Sequence, residues 1–119
     1  MKFDPDLLRN ILKLIDAEAS SSNHLYLKRM SCLCSDKEKL TNHLIKLEKY
    51  GYISGTSEFA DNKCCEYGTT GLTRSGEELL SKIQDKKKWL KIKEELNLTN
   101  AIASIPAITA IIEIIHKKL

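Results

Sequence analysis

No nucleophile–base set, paired carboxylates or phosphate-cradling glycine loop can be recognised in the 119 residues of this chain, so it reads as a non-enzyme. Glycine (5) and proline (2) are scarce, and the apolar (42%) and charged (29%) fractions are ordinary, which excludes collagen-like, fibrous and disordered chains. There is no apolar run of the roughly 20 residues a spanning helix needs. The longest, 101–115, is interrupted by Ser104, Pro106, Thr109 and Glu113, so no membrane partner is expected. The opening MKFDPDLLRN has acidic residues and no sustained apolar region, so no secretory signal is expected and a cytoplasmic protein is.

Metal-ligand spacing is missing as well. The four cysteines, Cys32, Cys34, Cys64 and Cys65, form one C-x-C and one adjacent pair, whereas zinc thiolates usually come as C-x2-4-C so that both reach one tetrahedral ion. No recognised spacing ties His24 or His43 to them. In a reducing compartment disulfides are not expected either. The thiols read as small buried hydrophobes, with no metal and no cofactor.

What is present is mostly helical. Asp4 is placed to cap a first helix over about 4–18, with Pro5 at its first position and Asp6 facing the positive end of its dipole. Leu8, Ile11, Leu12 and Ile15 recur at helical spacing, and the serine-rich stretch 20–23 ends the helix. From His24 to Leu33 both periods are present, and a short second helix suits the surroundings better. Ser35 or Asp36 then caps a third helix, with Glu38 at capping-box distance from Ser35. Its buried stripe is Leu40, Leu44 and Leu47, with His43 at the edge as a packed, hydrogen-bonded histidine, and Gly51 closes it.

The opposite face of that helix carries Lys39, Thr41, Asn42, Ile45, Lys46 and Lys49. Asparagine is a residue type that reads adenine edges and lysines meet phosphate or guanine, so Lys39, Thr41, Asn42, Lys46 and Lys49 are candidate DNA contacts. The same face also suits a solvated surface. A strand at 52–55 and a returning strand at 64–70, with a tip at 56–63, make a hairpin bearing Glu58, Asp61 and Glu66 against Lys63. An acidic hairpin is repelled by phosphate.

Thr73 is placed to cap a further helix, and Gly76 allows close packing near the preceding strand, with Leu79, Leu80 and Ile83 on its core face. The net charge of +3 is mild, and it is concentrated downstream, where Lys86, Lys87, Lys88 and Lys91 surround Trp89. This secondary basic patch reads as a phosphate-tracking surface or as a solvated face with the indole packed inward. A last helix follows, with Ser104 as its cap, Pro106 in its first turn, and His116, Lys117 and Lys118 at its negative end. Ile105, Ile108, Ile112 and Ile115 form one stripe and Ile111 and Ile114 another, so the helix is expected to pack deeply or to bridge to a second subunit.

The helix NHLIKLEKYGYI followed by GLTRSGEELL is similar to the helix-glycine-strand and Leu-Thr-x-x-Gly pair of winged helix-turn-helix regulators. Nearly the whole chain, including DPDLLRNIL, GLTRSGEELLSKIQD and ASIPAITAIIEIIHKKL, resembles an uncharacterised family of small bacterial and phage proteins, a domain of unknown function. That resemblance implies a phage or prophage origin and no established activity. The chain departs from the pattern at Asn42 and Arg74, where an aromatic is expected, and at Glu77, where a histidine is expected, so no role is carried over to those positions.

The expectation is a mainly α fold with a small β-hairpin: a winged helix-turn-helix over 1–84 with a C-terminal helical extension over 85–119, forming a homodimer. The functional reading is a phage-type transcriptional regulator that binds double-stranded DNA, with half-sites set by two-fold symmetry. The alternative is a phage-encoded interaction module that binds and inhibits or redirects a host protein.

Overall fold

The computed structural model describes residues 3–61, 63–98 and 104–118. Its elements are α1 (Pro5–Glu18), β1 (Leu25–Tyr26), α2 (Leu27–Met30), α3 (Lys37–Lys49), β2 (Ile53–Ala60), β3 (Lys63–Leu72), α4 (Arg74–Ile83), α5 (Lys86–Leu98) and α6 (Ile105–Lys118). A single 3-10 turn, Ser31–Leu33, follows α2. The antiparallel sheet has the order β1-β3-β2. Helix, short strand, two helices and a hairpin whose second strand pairs back to the first strand make a winged-helix-like arrangement, with three further helices behind it. Among the described residues no helix is long and apolar enough to cross a membrane.

The start of α1 follows the expected chemistry. Asp4 accepts hydrogen bonds from the N–H groups of Asp6 (3.1 Å) and Leu7 (3.2 Å), which satisfies two of the first-turn donors that an α-helix leaves unpaired. Leu7, Leu8, Ile11, Leu12 and Ile15 are buried on one side. After α1 the expectation of a plain second helix needs correction. Leu25 and Tyr26 pair with Thr69 and Gly68 as β1, and only then does the chain turn into the four-residue α2. The alternation of buried Leu25, exposed Tyr26 and buried Leu27 was a strand signal, and its partner lies more than forty residues downstream.

At α3 the cap is Asp36, whose carboxylate accepts from the Lys39 N–H at 3.1 Å; the capping box between Ser35 and Glu38 does not form, because the cap lies one residue later. Leu40, Leu44 and Leu47 are buried as expected. The helix ends in a Schellman motif, with the Gly51 N–H on the Glu48 carbonyl (2.9 Å) and the Tyr52 N–H on the Leu47 carbonyl (2.9 Å). Gly51 stands at φ 80°, which a residue with a Cβ rarely adopts.

The hairpin is longer than expected. The segment 56–63, read as a tip, is mostly ladder, with register from Ile53↔Leu72 out to Ala60↔Lys63 and irregularities after Ser54 and Glu58. Just past β2, Asp61 takes the left-handed φ of 53° that aspartate tolerates in turns. Glu58, Phe59 and Ala60 are all exposed, so no alternation of apolar and polar residues marked this stretch as strand.

The two motifs that stood out in the sequence meet in one joint. Thr73 donates its N–H to the Tyr52 carbonyl (3.0 Å) and its hydroxyl to the Gly51 carbonyl, while that hydroxyl accepts the Gly76 N–H (3.1 Å). The backbone at Gly76 lies so close to the α3–β2 junction that a Cβ there would stand 1.9 Å from the Tyr52 carbonyl oxygen. Threonine and glycine three residues apart thus hold the start of α4 against the end of α3.

The C-terminal helices share one hydrophobic cluster with the rest, from Phe3 and the α1 leucines through Leu79, Leu80 and Ile83 to Trp89, Ile92, Leu96 and α6. Arg9 donates to the carbonyls of Ile83 (2.9 Å) and Gln84 (2.7 Å), pairing acceptors that the end of α4 would leave open. Trp89 is packed inward at 2% exposure, and its indole N–H donates to Asp6 at 2.8 Å, while Lys93 reaches the same carboxylate at 3.0 Å. Trp89→Phe keeps an aromatic ring in the core, with a small loss of volume, and removes one charge-assisted hydrogen bond. It is expected to lower unfolding free energy by about 1–2 kcal/mol in urea melts; a loss near that of a core truncation, about 3 kcal/mol or more, would mean that packing and not the Asp6 bond dominates.

On α6, Ser104 caps by accepting the Ala107 N–H at 3.2 Å. Ile105, Ile108, Ile111 and Ile112 are buried and Ile115 is partly buried against the core, so Ile111 joins the first stripe and Ile114, 52% exposed, remains outside. Of the two expectations for this helix, deep packing describes the isoleucines within this chain, chiefly against α5. As side chains, Lys63, Cys65, His116, Lys117 and Lys118 lie outside the described residues.

Candidate nucleic-acid interface

Tertiary packing divides the five candidate residues of α3. Lys39 is drawn onto α1, its ammonium 3.2 Å from the Asp4 carboxylate. Thr41 is buried at 3% exposure and donates its hydroxyl to the Glu38 carbonyl at 3.1 Å. Thr41 is thus withdrawn from the surface, which corrects the expectation for it, while Lys39 stays half-exposed with its charge engaged by Asp4; the helical wheel put both on the outer rim, and α1 and the sheet flank the helix there. Asn42, which is half-buried, Lys46 and Lys49 are spaced i, i+4 and i+7 on the remaining face of α3. The two lysines are exposed, and Glu38 shares their side of the helix.

Two buried contacts fix the direction of that face. His43 is fully buried beneath Phe3, ring centroids 5.2 Å apart and nearly parallel. Its Nε2 accepts the Asp4 N–H (2.9 Å), and its Nδ1 lies 2.8 Å from the Lys39 carbonyl. An amide N–H can only donate and a carbonyl can only accept, so Nδ1 carries the proton and the ring is neutral. Burial depresses the His43 pKa below its ordinary 6.5 and outweighs the opposing pull of the Lys39 carbonyl and the Asp4 charge. Burial would raise the Asp4 pKa, yet the Leu7 N–H, the Lys39 ammonium and the Asp6 N–H together hold it below the usual carboxylate value. At Asp6 the Trp89 indole, helped by Lys93, does the same.

The second contact joins α3 to the hairpin. Tyr67 on β3 is 1% exposed and donates its hydroxyl to Glu48 at 2.7 Å. Burial first, then the Glu48 carboxylate, pushes that phenol far above its ordinary pKa. Gly55 on β2 makes room for it, since a Cβ there would stand 2.2 Å from the Tyr67 hydroxyl. Sequence reasoning missed this triad. The available signal was Glu48 itself, a carboxylate on the same stripe as Leu40 and Leu44.

The remaining groups are spread over other elements. Glu58, Asp61 and Glu66 are exposed on the hairpin, which keeps its negative sign. Lys86, Lys87, Lys88 and Lys91 are exposed on α5, which packs on α4 and α6, so the secondary basic patch is separate from α3 in the chain and in the fold. Of the cysteines, Cys34 and Cys64 pack half-buried against the core, in line with small hydrophobes, and Cys32 departs from that expectation because the 3-10 turn leaves it exposed. Among the described residues no group of three or more His, Cys, Asp and Glu side chains could hold a metal ion.

No curated protein matches this chain, and no solved structure matches it. The family described as Hypothetical protein (DUF2513) matches over residues 2–102, and the chain belongs to that family.

Proposed function

We propose that the protein is a sequence-reading DNA-binding regulator that lays α3 in a major groove, with Asn42 toward base edges and Lys46 and Lys49 toward phosphate. The observation that carries this reading is the outward face of a helix held on three sides, by α1 through His43 and Lys39, by the hairpin through Glu48 and Tyr67, and by α4 through the Gly51–Thr73 joint. A rigid helix with an open polar face suits groove reading, because little conformational freedom is left to lose on binding. The acidic hairpin would lie away from the backbone, and positioning would fall to the helix lysines. A phage or prophage origin accords with the family pattern seen in the sequence.

The test is fluorescence anisotropy against a pool of genomic fragments. Affinity is expected to fall steeply with salt, and Lys46→Ala with Lys49→Ala to weaken binding by about tenfold or more and to reduce the salt slope by about 2. Asn42→Ala is expected to relax discrimination between sites while retaining most of the salt-dependent binding. Absence of binding to any fragment at low salt, or a double lysine variant that binds like the parent, would refute the reading.

A further inference from the structure

We propose a second binding surface, on the outer face of the sheet, that docks an extended arginine- or lysine-bearing segment of a partner protein. On β3, Tyr67 and Thr69 are buried at 1% exposure each. Strand alternation therefore turns Glu66, Gly68 and Thr70 to the opposite face. In register with them stand Thr56 across from Gly68, Glu58 across from Glu66, and Tyr26 on the other side of Gly68. These residues, with His24, line an open groove of about 490 Å³.

Three features give the groove a chemical preference. A glycine within a strand weakens it and marks a close approach; here the Tyr26 ring lies across Gly68, its carbons 3.0 Å from where a Cβ would stand. That ring is 57% exposed and tilted against His24 at 6.1 Å, so the floor of the groove is an aromatic platform open to solvent. Glu58 and Glu66 face one another across the two strands, both exposed, beside the hydroxyls of Ser54, Thr56 and Thr70; Lys28 and Lys37 share only the adjoining hollow, on the far side of Glu66.

An aromatic face beside two carboxylates suits a guanidinium or ammonium group, which stacks on the ring while it donates charge-assisted hydrogen bonds. An extended backbone also matches a sheet surface whose side chains alternate. The sign excludes nucleic acid from this face, since adjacent carboxylates repel phosphate. The surface is built from β1, β2 and β3 and uses none of the α3 residues assigned to DNA, so the two proposals stand or fall separately.

The experiment uses the full chain and a fluorescein-labelled peptide of alternating arginine and glycine, followed by anisotropy at low salt. Glu58→Gln with Glu66→Gln is expected to weaken binding by about tenfold or more, and Tyr26→Ala to weaken it by about threefold or more. Asp16→Asn with Glu94→Gln removes the same net charge at exposed positions elsewhere and is expected to leave affinity unchanged. Circular dichroism melts check that each variant is folded; the glutamine pair, exposed on both sides, decides the matter if the tyrosine variant unfolds. No binding by the parent, or equal loss in the distal charge control, overturns the proposal. So does sedimentation showing that the groove is filled by a second copy, through self-association that the glutamine pair abolishes.

Discussion

Gly76→Ala is expected to destabilise the protein by about 3 kcal/mol, at the upper end of what overpacking a close contact costs. The added methyl would stand 1.9 Å from the Tyr52 carbonyl oxygen, a backbone atom at the junction of α3 and β2 that cannot rotate away as a side-chain end would. To admit it, α4 must lift off the joint, which strains the Thr73 bonds to Gly51 and Tyr52 and the helix cap on Gly76 at once. A loss of that size is a large fraction of the 5–15 kcal/mol typical of a whole domain. Gly68→Ala is the matched comparison, because its methyl would meet only the ring of the exposed Tyr26 at 3.0 Å; less than about 1 kcal/mol is expected there. Urea melts of the two variants measure both. Equal losses would show that backbone approach is not what requires glycine at 76.

His43→Leu is expected to cost about 3 kcal/mol near neutral pH, from an Asp4 N–H left without its acceptor and a lost ring stack on Phe3. The histidine also sets a pH dependence. With its folded pKa below 6.5, the unfolded chain takes up a proton that the folded chain refuses. Stability from this residue is complete above about pH 6.5 and is lost as pH falls from there toward the lowered folded value. Asp4 and Asp6 act further down: their folded pKa values lie below 3.8, so their contributions persist above that value and fade only in stronger acid. Urea melts between about pH 7 and pH 5 are expected to show a decline in the parent and a nearly flat profile in His43→Leu. The same slope in both proteins would assign the decline to other groups.

The joint and the histidine were legible in the sequence to different degrees. Leu-Thr-x-x-Gly and the glycine after α3 could be read as cap and terminator, because those roles depend on residues a few positions apart. That they are one contact, with Thr73 bonded to the Gly51 and Tyr52 backbone, depends on β2 and β3 bringing distant residues together. His43 was readable as a packed histidine from the stripe around it. The N–H that it accepts, and with it the tautomer, comes from Asp4, thirty-nine residues away. The hairpin was placed but cut short, since in its outer half exposed Glu58, Phe59 and Ala60 carry no alternation of apolar and polar residues.

At the candidate interface the division is sharper. By itself the sequence determined α1, α3, α4 and α6 with their N-terminal caps, most of their core stripes, and the negative sign of the hairpin, because caps, spacing and charge act locally or simply add up. Only the tertiary structure decided how each polar residue on α3 is surrounded. Lys39 and Thr41 share the rim of the wheel with Asn42, Lys46 and Lys49, and no local rule separates them; the first is taken by an ion pair to α1 and the second is buried. The sheet groove was invisible for the same reason. Tyr26, Glu58, Glu66 and Gly68 lie up to 42 residues apart and become neighbours only when β1 and β2 pair with β3.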